Sequence, residues 1–113
     1  MDSILNTIKK MLGIAEEYTQ FDIDLIIHIN SIISILTQLG VGPEAGFLIT
    51  DMTDGWSDWV GLPIYLGSVK TYIYLRVRLL FDPPSNMTVV KSYEEIIREL
   101  ECRISTAIET NTI

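Results

Sequence analysis

His28 and Cys102 are the single histidine and the single cysteine of this 113-residue chain, so nucleophilic or metal chemistry would have to be built around them. Such sites need company. A nucleophile requires a base and a group that orients it, and a zinc site takes several nitrogen, sulfur or carboxylate ligands. His28 falls inside an apolar-periodic segment, on its polar side, without triad or ligand companions. A surface or edge histidine is the plainer reading. Cys102 lies between Glu101 and Arg103 and reads as a partly buried, inert thiol. One cysteine allows no intrachain disulfide, so no oxidising compartment is needed.

Asp51, Asp54 and Asp58 invite a cation-site reading. Their context, DMTDGWSD, lacks the alternating-oxygen order of a calcium loop, and no bidentate Glu follows at the right distance. Asx-turns and helix capping account for them better. The run GVGPEAG from Gly40 to Gly46 is not a phosphate cradle: no Lys-Ser/Thr follows, Pro43 removes a donor and Glu44 adds repulsion. Trp56 and Trp59, three apart, would share one face of a short helical turn capped by Asp54. Covering the core from a loop is the plainer role for these indoles, and anchoring an interface the sharper one. Arg76 and Arg78 stand in an otherwise almost wholly apolar run; in helical projection Arg76 falls inside the apolar arc and Arg78 nearly opposite. A buried or interfacial arginine needs a carboxylate, from within the chain or from the next subunit.

The elements that position these residues read as an all-α bundle of four main helices, at about 3–12, 21–39, 68–81 and 87–110. Ile4, Leu5, Ile8, Met11 and Leu12 recur at helical spacing in the first, with Asn6, Lys9 and Lys10 outside and Gly13 as its stop. The second carries Leu25, Ile26, Ile29, Ile32, Ile33, Leu36 and Leu39 as one stripe, with Thr19 or Asp22 to cap it and Gly40 to end it. Ile23, Ile27 and Ile35 fall outside that stripe, so a second covered face is expected. Residues 40–67 form a Gly-rich loop with one possible helical turn. A connection of that length is far above the usual ~4–6 residues, and such loops are functional or ordered by a partner.

The third helix lies in SVKTYIYLRVRLLFDPP, Ser68 to Pro84, where strand alternation and helical spacing fit equally well. Its apolar run of about 14 residues is long for a strand and ordinary for a helix, which decides for helix. Asp82-Pro83-Pro84 then forces a break. Ser85 or Asn86 caps the last helix, whose stripe is Val89, Tyr93, Ile96, Ile97, Leu100, Ile104, Ala107 and Ile108. Glu94–Arg98 and Glu99–Arg103 are i, i+4 pairs in the favourable order.

The whole is one domain with a net charge of −7. Clustered cations are what grip phosphate, so nucleic-acid binding is disfavoured. The start MDSILNTIKK has no basic region ahead of an apolar one, so no signal peptide is expected. The most apolar run, Leu25 to Leu39, is interrupted by His28, Asn30, Ser31 and Ser34 and falls short of the ~20 residues a bilayer span needs. A soluble, intracellular product follows.

In this order the chain shows a short helix ending MLGI, an acidic linker, a helix running from FDIDLIIHIN to ILTQLGV, a Gly-rich loop, then KTYIYLRVRLLFDPP and a long last helix. That arrangement resembles the head–tail connector (head-completion, or adaptor) proteins of long-tailed double-stranded-DNA bacteriophages and prophages. The sharpest parts are Gln38-Leu39-Gly40-Val41 and Lys70 to Pro84, which are architectural rather than catalytic. The resemblance implies a structural virion protein at the head–tail junction, made in the host cytoplasm. It implies a homo-oligomeric ring, a dodecamer, with the portal on one side and a stopper or tail-completion protein on the other. DNA would pass through without sequence-specific binding, and no cofactor, metal or membrane is involved. Carried onto this sequence, the portal-contacting end is Glu101 to Ile113, with Arg103 and Ile108 on it. The loop Gly42 to Gly61, with Asp51, Asp54, Trp56, Asp58 and Trp59, would face a neighbour or the channel. Arg76 and Arg78 complete the expected interface set. A prophage-encoded helical interaction or regulatory module is the alternative, and an enzyme is the least supported.

Overall fold

The computed structural model describes residues 2–61 and 63–111. Five helices follow in order: α1 Ile4–Leu12, α2 Asp22–Gln38, α3 Trp56–Trp59, α4 Leu66–Phe81 and α5 Met87–Asn111. Among the described residues there is no strand, only one isolated antiparallel bridge between Ser3 and Gly55. The expected all-α fold is what forms, with helix limits within two residues of those read from the spacing.

α4 is the hub, packing against α1, α2 and α5. That resolves the ambiguity of its sequence. Val69, Tyr72, Ile73, Leu75 and Val77 are all buried because three neighbours cover different sides of one helix, which blurs its helical periodicity. Leu80, near the end of the helix, stays 55% exposed. α4 also starts two residues earlier than expected, taking in Leu66 and Gly67, because a turn closed by Leu66 N–H on the Pro63 carbonyl leads straight into it. Asp82, turned out of the helical region ahead of Pro83 at φ −147° and ψ 69°, ends it as the double proline requires.

The helix ends follow their caps. Ser3 accepts the Asn6 N–H ahead of α1, and Asn86 Oδ1 accepts the Thr88 N–H ahead of α5. Val41 N–H returns to the Leu36 carbonyl and closes the end of α2 just past Gly40. The start of α2 departs from expectation. Phe21 occupies the cap position without a side-chain bond, and Thr19 offers only its backbone carbonyl, to Asp22 N–H. Asp22 is turned to a different partner.

That partner is Lys9, expected outside the first helix and in fact 1% exposed. It stands four residues after Leu5 and three before Leu12, on the inward face. Its ammonium donates to the Glu16 carbonyl at 2.9 Å and the Tyr18 carbonyl at 2.8 Å, and pairs with Asp22 Oδ1 at 2.9 Å. The acidic linker is thus wrapped around one buried cation. Beside it Tyr18, Phe21 and Phe81 meet edge to face and tie the linker to the end of α4.

Among the described residues, nothing forms the second covered face expected for α2. Ile23 and Ile27 are 74% and 61% exposed, and Ile35 is half-buried. Val89 and Ile96, expected on the buried stripe of α5, are also partly exposed, at 36% and 41%. Cys102 is exposed rather than partly buried.

Lys9→Ala should lower unfolding stability by about 3 kcal/mol, since removing one partner strands the Asp22 carboxylate and two linker carbonyls. Lys9→Met, which keeps the packing but not the bonds, should lose less. Thermal melting of the three proteins checks the order.

Candidate interaction surface

The 40–65 connection is held at fixed points rather than loose. Asn30 on α2 clamps it by accepting the Ile49 N–H at 2.8 Å and donating to the Ile49 carbonyl at 3.0 Å. Phe47 stacks on Trp59, and Trp59 leans on Trp56, each at 6.1 Å between ring centres. Trp56 Nε1–H reaches Thr7 on α1 at 3.1 Å, and Lys70 of α4 lies over the Trp56 ring. Both indoles are therefore core groups that close the end of the bundle, not surface anchors. Gly42 is required by this packing. Its φ is +77°, and a Cβ there would lie 2.4 Å from Trp59 Nε1.

α3 is capped in an unusual way. Its cap residue, Gly55, has no side chain to offer. Asp58 Oδ2 accepts the Gly55 N–H at 2.8 Å, which is half of a capping box. The other half comes from Asp2, whose Oδ2 accepts the Ser57 N–H at 3.0 Å and also the Ser57 hydroxyl. A Cβ on residue 55 would meet Asp2 Oδ2 at 2.5 Å, so this cap needs glycine. The Ser57 bonds hold the Asp2 carboxyl below its ordinary range.

Asp54 does not cap α3 as expected. Its carboxylate turns back to the Thr50 and Asp51 N–H groups, while Asp51 accepts from the Thr53 N–H and hydroxyl. These are the turn-forming roles that aspartate favours. Asp51, Asp54 and Asp58 each serve a local bond, and the described residues contain no His, Cys, Asp and Glu grouping able to hold a metal ion.

Arg76 finds its carboxylate inside the chain. Its Nη2 lies 3.0 Å from Glu101 Oε2, its Nε donates to the Tyr72 hydroxyl at 2.8 Å, and Tyr72 in turn donates to Glu101 at 2.7 Å. Tyr72 is the member of this triad that periodicity hid, because it reads as an ordinary apolar-stripe residue. Burial, then the bond to Glu101, pushes its pKa up to about 12. Burial alone would raise the Glu101 carboxyl, but the bonds from Tyr72 and Arg76 outweigh it and hold it low. Arg78 instead closes the end of α4, donating to the Asp82 carbonyl and, at 3.4 Å, to the Tyr74 hydroxyl. Of the two expected α5 pairs, Glu99–Arg103 forms at 2.6 Å; Glu94 and Arg98 make no ion pair within 4 Å among the described residues. Ile108 is half-buried, with its side chain against Gly40. Ile113 lies outside the described residues.

These placements yield a scaffold with fixed loops, and they leave His28 and Cys102 on separate helices. A family model described as phage connector protein matches residues 4–111, nearly the whole chain. The chain belongs to the phage connector family. No curated protein and no solved structure matches it. Membership makes this connector a structural component of a phage particle, and no helix among its described residues is long and apolar enough to cross a membrane.

The triad makes the connector sensitive at both ends of the pH scale. Glu101 is depressed below its ordinary 4.5, so its contribution is full above that value and is lost as pH falls through the lower, folded one. Tyr72 is raised, so its contribution is full below 10.0 and fades as pH climbs towards about 12. Melting curves should show both losses. Glu101→Gln should flatten the acid limb, and Tyr72→Phe the alkaline one.

Proposed function

We propose that this connector assembles as a homo-oligomeric ring between the portal and the tail-side proteins, completing the DNA-filled head and extending the exit channel. Family membership over residues 4–111 is the observation that carries the reading. Two physical features support it. A net charge of −7 suits a conduit for DNA, because acidic walls repel phosphate and let the duplex slide. Ile23, Ile27, Leu48, Met52 and Ile64 are large apolar groups more than half exposed, which suits a chain whose surface is completed by neighbours.

In the ring, the end of α5 from Glu101 onward is the portal side. The 42–61 loop faces the channel or the adjoining subunit. Since Trp56 and Trp59 are committed to the core, contact there falls to the groups around them.

The purified chain, alone or added to portal-bearing heads, should appear as rings in negative-stain images. Phage lacking the chain should accumulate packaged heads without tails. Infectious particles at undiminished titre from that deletion would overturn the reading.

A further inference from the structure

The charges of this chain are divided along its length. Between Met11 and Val69 there are eight Asp and Glu and no Lys or Arg. From Lys70 onward, six cations balance six acids. Lys9 is buried against Asp22, so apart from Lys10 the unburied lysines and arginines all belong to α4 and α5. The stretch that contains α2 and α3 is purely acidic, and the α4–α5 side carries nearly all the unburied cations, balanced by as many acids.

Each side also has an uncovered apolar feature. On α2, Ile23 and Ile27 are one helical turn apart and stand out as a ridge, with exposed Asp24 beside them and no ion-pair partner for it among the described residues. Between α4 and α5 runs an open groove of about 460 Å³, lined by Leu79, Leu80 and Ile97. Its rim carries Arg98 and Glu94. Arg76 and Glu101, also on the rim, are already paired with each other. Arg98 is exposed and not ion-paired within 4 Å.

Rows of side chains four apart on one helix fit grooves formed by another packing partner. We propose that the α2 ridge of one copy, Ile23 and Ile27, docks into the α4–α5 groove of a second copy, with Asp24 meeting Arg98. Both isoleucines are exposed and neither lines the groove, so the two patches do not satisfy each other within one chain. A contact between two different patches is heterologous, and repeated around an axis it closes a ring. Glu94 fixes the register: one turn from Arg98, it repels Asp24 if the ridge slides along the groove. Because copies of net charge −7 repel at long range, the local pair supplies orientation and the isoleucines supply the contact area. This assignment rests on the ring reading above and names its subunit contact.

Charge reversal tests it. Asp24→Arg and Arg98→Glu should each weaken self-association by at least about tenfold, and the double variant should recover most of the loss, as coupled partners do. Association is read by sedimentation velocity and by ring counts in negative-stain images. Melting curves confirm that each variant is folded. Ile27→Ser, which leaves the charges alone, should weaken association as well. Single variants that assemble like the parent, or a double variant no better than the worse single, overturn the assignment while leaving the ring reading in place. A parent chain that never self-associates, alone or on portal-bearing heads, overturns both.

Discussion

A single buried ammonium group sets the geometry at the start of this fold. Lys9 cannot be left unpaired in the core, because an uncompensated buried charge costs several kcal/mol. Its three partners come from the linker backbone at Glu16 and Tyr18 and from the first turn of α2 at Asp22. Satisfying it therefore fixes the path of the linker and the position at which α2 begins. α2 then lies along α4, and α4 receives α1 and α5 on its other sides. The linker looks like a polar spacer in sequence, yet it is the cage of a structural cation. Asp22 gives up the capping role that its position suggests because the ammonium is a stronger partner than a backbone N–H.

The helices were legible because their signals are local. Glycines 13 and 40 end α1 and α2, Asn86 caps α5, and the double proline breaks the chain after Phe81, all by rules that act within a few residues. What escaped was set by distant groups. Lys9 reads as an outward residue because lysine is usually solvated, although Leu5 and Leu12 mark its face as inward. Tyr72 hid in an apolar stripe, since a phenol reads as hydrophobic until a carboxylate is brought to it. The cap expected from Asp54 falls to Asp58 and to Asp2, far away in the chain. The spare isoleucines of α2 suggested a second covered face; within one chain that face is bare.

The candidate interface residues divide in the same way. Trp56, Arg76 and Glu101 have intramolecular polar partners, and Trp59 is packed into the core against Trp56 and Phe47 with its indole N–H unpaired. Arg78 and Arg103 serve helix ends and surface pairs. The groups with unmet potential lie outside that set: the α2 isoleucines, Asp24 and Arg98. An interface role in a connector is better sought among residues that the monomer leaves unsatisfied than among those rich in aromatic or charged character.

The borrowed cap on α3 bears on the order in which the chain folds. The α4–α5 hairpin and α2 are built on contacts of short or moderate sequence separation, and such elements form early. α3 is one turn long and takes its Ser57 N–H cap from a residue 55 positions away. Four residues cannot hold a helix by themselves. α3 must therefore appear last, after α1 has docked and brought Asp2 across. Hydrogen-exchange protection at Ser57 is consequently a clock for completion of the fold, and it would be the first protection lost when α1 lifts away.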